Sequence, residues 1–123
     1  MKETGKSILI VDDSTIIVKR LELMLQAADG LGPVHTANDF APAWQFIEAR
    51  QPDIVLLDIN LPGGSGIQLL RQIKDSYPFI KVVMISNQSE EHYRNTCKDL
   101  GAAWFIDKSS DFEQIPAVVS FLL

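Results

Sequence analysis

Residues 54–62 read Ile-Val-Leu-Leu-Asp-Ile-Asn-Leu-Pro, and this stretch decides the fold. Its first four residues are apolar, as in a strand that is buried on both faces of a sheet. Asp58 ends the run, and Pro62, Gly63 and Gly64 then turn the chain. A charge inside the sheet would lose several kcal/mol of solvation. Asp58 therefore belongs at the carboxyl end of the strand, on the rim where ligands bind in open α/β sheets.

The rest of the chain repeats this unit of a short apolar strand followed by an amphipathic helix. Strands are predicted at residues 7–11, 34–37, 54–58, 81–86 and 103–106. Helix N-caps are predicted at Ser14, at Asn38 or Asp39, and in a capping box of Asn87 and Glu90. Because right-handed crossovers are nearly obligatory, such units give a parallel sheet with helices on both faces. The doubly wound order 2-1-3-4-5 is the natural solution.

Length and composition favour an ordinary globular protein. At 123 residues, the chain is expected to form a single domain over residues 1–123. A net charge of -5 argues against a nucleic acid or an anionic membrane as the main partner. Cys97 is the only cysteine, so no internal disulfide is possible, which fits a reducing compartment. We find no signal peptide and no apolar run near the roughly 20 residues of a membrane span, so we expect a cytoplasmic protein.

Polar side chains follow four of the five strands. Asp12 and Asp13 follow the first strand, Asp58 the third, Ser86 the fourth and Lys108 the fifth. In the order 2-1-3-4-5, the first and third strands are neighbours, so the three carboxylates should converge. They repel one another unless a cation holds them, and oxygen ligands with room for water favour Mg²⁺. A lysine and a hydroxyl nearby suit a phosphoryl group, which predicts phosphoryl transfer with Asp58 as the nucleophile.

Together with the Leu-Pro-Gly-Gly-Ser-Gly turn that starts at residue 61, these residues resemble the receiver domain of bacterial two-component response regulators. The resemblance covers essentially the whole chain. It implies a flavodoxin-like (βα)5 fold that takes a phosphoryl group from the phosphohistidine of a histidine kinase onto Asp58. It also implies that Asp13, Asp58, the backbone carbonyl of Asn60 and, mainly through water, Asp12 hold Mg²⁺. Lys108 would pair with a phosphoryl oxygen.

The same resemblance implies how the signal leaves the domain. The Ser86 hydroxyl would move toward the phosphate, and Phe105 would act as an aromatic switch that packs inward. The partners would be a sensor histidine kinase or phosphotransfer protein on one side. The face formed by the fourth helix, fifth strand and fifth helix would bind a downstream effector or form a homodimer. The domain would be a signalling phosphoacceptor that catalyses its own phosphorylation and dephosphorylation, rather than an enzyme that acts on other substrates.

Two further expectations concern the end of the chain. Ser109 stands where the family usually has proline after the lysine, so we expect a trans peptide bond after Lys108. Ser109 or Ser110 would then cap the last helix. That helix should place Val118 and Phe121 on the flank of its buried stripe. The stripe itself consists of Phe112, Ile115, Val119 and Leu122.

Two other functions fit parts of the pattern. A phosphatase of the haloacid-dehalogenase type also uses an Asp nucleophile with Mg²⁺, but it needs a second Asp two residues later, where this chain has Asn60. A degenerate receiver would act only as a docking module, and it would usually have lost an acid or the lysine.

Overall fold

A five-stranded parallel sheet forms the centre of the protein. The computed structural model describes residues 5–26, 28, 30–87 and 90–123. The strands are β1 (Lys6–Val11), β2 (Leu31–Ala37), β3 (Ile54–Asp58), β4 (Lys81–Ser86) and β5 (Trp104–Asp107). All four pairings are parallel, and the order is β2-β1-β3-β4-β5. The predicted flavodoxin-like fold and strand order are confirmed.

Helices cover both faces of the sheet. They are α1 (Thr15–Leu25), α2 (Phe40–Arg50), α3 (Gly66–Ser76), α4 (Glu91–Asp99) and α5 (Ile115–Leu122), and a 3₁₀ turn at Phe112–Gln114 leads into α5. One core cluster joins α1 and α5 to one face of the sheet, and a second joins α2, α3 and α4 to the other. Alternate residues of β3 enter opposite clusters, which is why its sequence is continuously apolar. No helix in the described ranges has the length and apolar character needed to cross a bilayer.

The strand register brings the polar residues to one rim. Leu57 of β3 pairs with Val11 of β1, and Asp58 pairs with Ile85 of β4. Ser86 pairs in turn with Asp107 of β5. The carboxyl ends of these four strands therefore lie at nearly the same level, and the residues that follow them meet at one edge.

Two of the predicted helix starts are confirmed. Ser14 precedes α1, and its Oγ accepts a hydrogen bond from the Ile17 N–H at 3.3 Å. Asp39 precedes α2, and its Oδ1 accepts one from the Phe40 N–H at 2.7 Å. Both side chains satisfy donors that the first helical turn leaves unpaired.

The predicted capping box before α4 is wrong. This helix begins at Glu91, and Glu90 occupies its N-cap position without a side-chain capping hydrogen bond. Asn87 lies in a bend directly after β4, four residues before the first helical residue. A capping side chain must come immediately before the helix, so Asn87 is too early in the chain to act as one.

The second strand is longer than its sequence indicates. It begins at Leu31 and includes Gly32 and Pro33, which precede the predicted start at residue 34. β2 is an edge strand that pairs with β1 alone, and the register shifts between Lys6 and Ile8 opposite this segment. Proline lacks an N–H and cannot donate to the ladder between strands. It is therefore tolerated at an edge irregularity such as this one.

A small hairpin follows β3 and fixes the exit from the central strand. Residues Asn60–Leu61 pair in antiparallel fashion with Gly64–Ser65. The Gly66 N–H then donates to the Ile59 carbonyl at 2.6 Å. A Cβ on Gly66 would collide with the backbone carbonyl of Asp58 and lie 2.8 Å from Ile59 Cα, so only glycine fits here. The start of α3 therefore packs directly against the backbone of Asp58.

Candidate functional site

Three carboxylates meet at the rim between β1 and β3. One oxygen from each of Asp12, Asp13 and Asp58 lies within 4.8 Å of the other two. Asp12 and Asp58 are buried, with only 6% of Asp58 exposed, whereas Asp13 is exposed. The structure thus brings together the acids that the strand order predicted. A compact set of oxygen donors fits a hard divalent cation, because such an ion offsets the mutual repulsion of the carboxylates.

Lys108 provides the positive charge beside these acids. Its Nζ lies 3.0 Å from Asp12 Oδ2 and 3.4 Å from Asp58 Oδ2. Burial by itself lowers the pKa of Lys108, but the two carboxylates outweigh that effect, and the net pKa is raised. The ammonium group therefore stays charged at the rim and is held between the first and third strands.

Asp58 lies where burial and neighbouring charges oppose one another. Burial raises its pKa, the charge of Lys108 lowers it, and the charge of Asp12 raises it again, with a net increase. The Asn60 N–H donates to Asp58 Oδ1 at 3.2 Å, while Lys108 contacts Oδ2. Both oxygens are thereby oriented by neighbours, which fixes the carboxylate at the end of the strand.

Lys108 is held in a tight turn whose peptide bonds are all trans. The bond between Lys108 and Ser109 is trans, as predicted, since none of the described peptide bonds is cis. Asp107 Oδ1 accepts hydrogen bonds from the N–H of Ser109 at 2.8 Å and from its hydroxyl at 2.6 Å. The Lys108 N–H donates to the carbonyl of Ser86 at 2.9 Å. The turn is therefore connected to β4 as well as to β5.

The expectation that Ser109 or Ser110 caps the last helix is wrong. A 3₁₀ turn with Asp111 at its N-cap position comes first, and Gln114 precedes α5. Ser109 bonds backwards to Asp107 instead, in the pattern of an Asx turn. An Asp two residues before a Ser is a sequence signal for such a turn, so the pairing of Asp107 with Ser109 was predictable from the sequence.

The predicted switch residues lie on the two strands beyond β3, with Ser86 at the end of β4 and Phe105 within β5. Ser86 is completely buried at the carboxyl end of β4. Phe105 is half-buried, and the Arg94 guanidinium lies over its ring, 4.9 Å from the centroid. Arg94 is also 3.6 Å from Asp111, in the segment between Lys108 and α5. One α4 side chain thus contacts both the aromatic ring and the chain that follows Lys108.

Asp39 has a second contact that sequence reasoning missed. Besides capping α2, its Oδ1 accepts a hydrogen bond from the Gly63 N–H at 2.6 Å. A Cβ on Gly63 would lie 2.8 Å from that oxygen, and one on Gly64 would lie 2.9 Å from the Phe40 ring. The two glycines therefore allow the hairpin after β3 to pack against the start of α2.

Comparison with known proteins identifies the family. Residues 8–120 match the sequence model of the response regulator receiver domain. The chain therefore belongs to this family and is a receiver domain of two-component response regulators. Neither the haloacid-dehalogenase alternative nor the docking-only alternative is favoured by these matches.

Individual relatives agree with this assignment. The Fimbriae Z protein of Escherichia coli (strain K12) is 32% identical over 123 residues, which are 100% of this chain and 58% of that protein. The protein-glutamate methylesterase/protein-glutamine glutaminase of Treponema pallidum (strain Nichols) is 36% identical over 111 residues, 88% of this chain and 28% of that enzyme. A LuxR-family response regulator from Aurantimonas sp. SI85-9A1 superposes with a TM-score of 0.85 at 26% identity, covering 96% of this chain and 85% of that one. The chain thus spans only part of the length of these curated relatives.

We expect Asp58→Asn to stabilise the metal-free protein at neutral pH by about 1 kcal/mol, because it removes a buried negative charge beside Asp12. Lys108 keeps Asp12 as its partner. The native pKa of Asp58 is raised, so the native state binds this proton more tightly than the unfolded chain does. The contribution of protonated Asp58 to stability is complete below the unfolded pKa of about 3.9 and is lost as the pH rises through the native value. The advantage of the variant should therefore shrink in acid.

Urea unfolding in the presence of a chelator, at neutral pH and near pH 4, measures this difference. Asp75→Asn, on the exposed side of α3, is the matched control and should change little at either pH. A variant less stable than wild type at neutral pH would show that burial of the Asp58 charge is not costly.

Proposed function

We propose that this chain accepts a phosphoryl group on Asp58 from the phosphohistidine of a sensor histidine kinase or a phosphotransfer protein. One observation carries the proposal: the buried Asp58 carboxylate, at the end of the central strand, has the Lys108 ammonium 3.4 Å from Oδ2 and two further acids within 4.8 Å. A carboxylate held rigidly in this way has already lost the freedom that a nucleophile must give up to react. The domain is then a signalling phosphoacceptor. A free, buried thiol at Cys97 also fits a reducing compartment such as the cytoplasm.

The transfer is a single displacement at phosphorus. An oxygen of Asp58 forms the new P–O bond, the P–N bond to the donor imidazole breaks, and its electron pair returns to the nitrogen. The product is an aspartyl phosphate, which water later hydrolyses. The charge of Lys108 lies beside Asp58 Oδ2. During transfer the negative phosphoryl oxygens would lie next to it, so Lys108 would stabilise both the transition state and the product.

The acids and one backbone group would hold Mg²⁺. Asp13, Asp58 and the backbone carbonyl of Asn60 would bind the ion directly. Asp12 would contact it mainly through a bridging water molecule. The exposed carboxylate of Asp13 leaves one side of the cluster open to solvent and to the donor. Bound there, the ion would neutralise charge on the acids and on the phosphoryl oxygens. Because the Asn60 N–H already bonds to Asp58, its carbonyl belongs to a segment that is fixed against the nucleophile.

Ser86 and Phe105 would transmit the event to the surface. Ser86 ends the strand next to Asp58, so its hydroxyl is at the rim that the phosphate would occupy. Phe105 lies on the adjacent strand and is half-buried, so an inward movement of its ring would remove apolar surface from water. Phosphorylation would then shift an existing equilibrium between two arrangements of these side chains.

The output surface would be the face of α4, β5 and α5. Trp104 is 44% exposed and Phe121 79% exposed, and their ring centroids are 6.5 Å apart. With Ala117 and Val118 they line an apolar groove. Exposed aromatic pairs that border an apolar groove are typical of sites that bind other proteins. We infer that this face binds a downstream effector or a second copy of the chain.

Acetyl phosphate with Mg²⁺ should raise the intact mass by one phosphoryl group, about 80 Da. Asp58→Asn should abolish the gain, because the nucleophile is lost. Asp13→Ala or a chelator should reduce it, because the acids then lose their cation. Asp75→Asn is the control and should be labelled like wild type, since Asp75 is exposed on α3, outside the acid cluster. Labelling that persists in Asp58→Asn would refute the assignment of the phosphoacceptor.

Sedimentation of the protein with Mg²⁺ and beryllofluoride tests the output face. We expect this phosphate mimic to promote self-association or binding of an identified partner, and Phe121→Glu to prevent it by placing a charge in the apolar groove. Phe79→Glu is a matched control, because Phe79 is 63% exposed but lies between α3 and β4. If wild type stays monomeric with the mimic, the homodimer is excluded. If Phe121→Glu also leaves partner binding unchanged, Phe121 is not part of the output face.

A further inference from the structure

Hydrogen bonds of Lys108 and of the residues around it fix the turn that follows β5. The Lys108 N–H donates to the Ser86 carbonyl at 2.9 Å, and the Asp111 N–H donates to the Asp107 carbonyl at 2.8 Å. Between these two bonds, the Asp107 carboxylate accepts from both the N–H and the hydroxyl of Ser109. The backbone of Lys108 is therefore fixed by its own bond to β4 and by the bonds that Asp107, the preceding residue, accepts from Ser109 and Asp111.

The Asp107–Ser109 pair has the chemistry of a firm contact. Asp107 is a buried carboxylate, and a buried charge needs hydrogen bonds to offset its lost solvation. Bonds in which a carboxylate accepts are shorter and stronger than neutral ones, and the distances of 2.8 and 2.6 Å are in that range. The pair is therefore able to fix the backbone direction at Lys108.

That direction decides where the ammonium group lies. The Lys108 side chain extends from the turn after β5 to Asp12, which follows β1, and to Asp58 at the end of β3, and its Nζ contacts both acids. A long side chain amplifies a small rotation of its backbone into a large displacement at its tip. Without a fixed turn, the lysine would spend less time in the position from which it contacts Asp58.

We propose that Asp107 and Ser109 are positioning residues for phosphoryl transfer, which act by aiming Lys108 at Asp58. This inference rests on the proposed function above. It assigns a role to two side chains whose hydrogen bonds, among the residues that the structure describes, join them to each other and not to the acid cluster. Ser110 is the control residue. It is the next serine in the chain, but its hydroxyl bonds to Asp111 Oδ1 at 3.3 Å, whereas Ser109 bonds to Asp107.

The test is the initial rate of labelling by acetyl phosphate at saturating Mg²⁺. Asp107→Ala should lower the rate by about tenfold, because a misplaced catalytic charge loses much of its effect. Ser109→Ala removes one of the two bonds and should lower it by about threefold. Ser109→Thr retains both donors and should react like wild type, and Ser110→Ala should also do so.

A double-mutant cycle separates aiming from a general effect on the fold. In a Lys108→Ala background, adding Asp107→Ala or Ser109→Ala should cause no further loss, because there is no lysine left to aim. If Asp107→Ala lowers the rate by the same factor with and without Lys108, the pair acts on the fold and the inference is wrong. Should Asp107→Ala fail to fold, Ser109→Ala in the same cycle gives the answer.

The outcomes also distinguish this inference from the function on which it rests. If wild type and Ser110→Ala are both unlabelled, the proposed function fails, and the inference fails with it. If wild type is labelled and Asp107→Ala and Ser109→Ala react at the wild-type rate, only the inference is overturned. A loss in Ser109→Ala that Ser109→Thr restores, and that disappears without Lys108, supports it.

Discussion

The contacts of Lys108 with Asp12 and Asp58 are the interactions on which the rest of the site depends. Two buried carboxylates next to each other are unfavourable, and a single ammonium group offsets only part of their repulsion. The rim therefore keeps an excess of negative charge, which a divalent cation can balance. The order of the sheet makes this possible, because the acids lie at the carboxyl ends of the neighbouring strands β1 and β3, while the backbone of β4 holds the turn that carries the lysine.

Sequence reasoning predicted the sheet and the converging side chains for simple physical reasons. A strand buried on both faces is continuously apolar, and right-handed crossovers leave few strand orders, so the residues after β1, β3, β4 and β5 had to meet. Contacts between loops could not be predicted in that way. The bond from Gly63 to Asp39 joins residues that are distant in sequence, and the start of α4 depends on how the chain leaves β4. Helical periodicity also failed to separate Val118, which is buried, from the exposed Phe121.

The structure connects the site to the proposed output face through few side chains. Arg94 on α4 covers the Phe105 ring and pairs with Asp111, three residues after Lys108. Trp104 directly precedes Phe105 in β5, and its ring contacts that of Phe121 on α5. A change at the acids that alters the Lys108 turn or Phe105 would therefore reach the exposed aromatic pair through direct contacts, without a change of fold.

Whether Asp58 carries the phosphoryl group is tested most directly by chemical mapping. Borohydride reduces an acyl phosphate to an alcohol, so protein treated with acetyl phosphate and Mg²⁺ can be reduced, digested and sequenced by mass spectrometry. We expect homoserine at position 58, and only in protein that has been exposed to the phosphodonor. Homoserine at position 12 or 13, or a mass gain with unmodified Asp58, would contradict it.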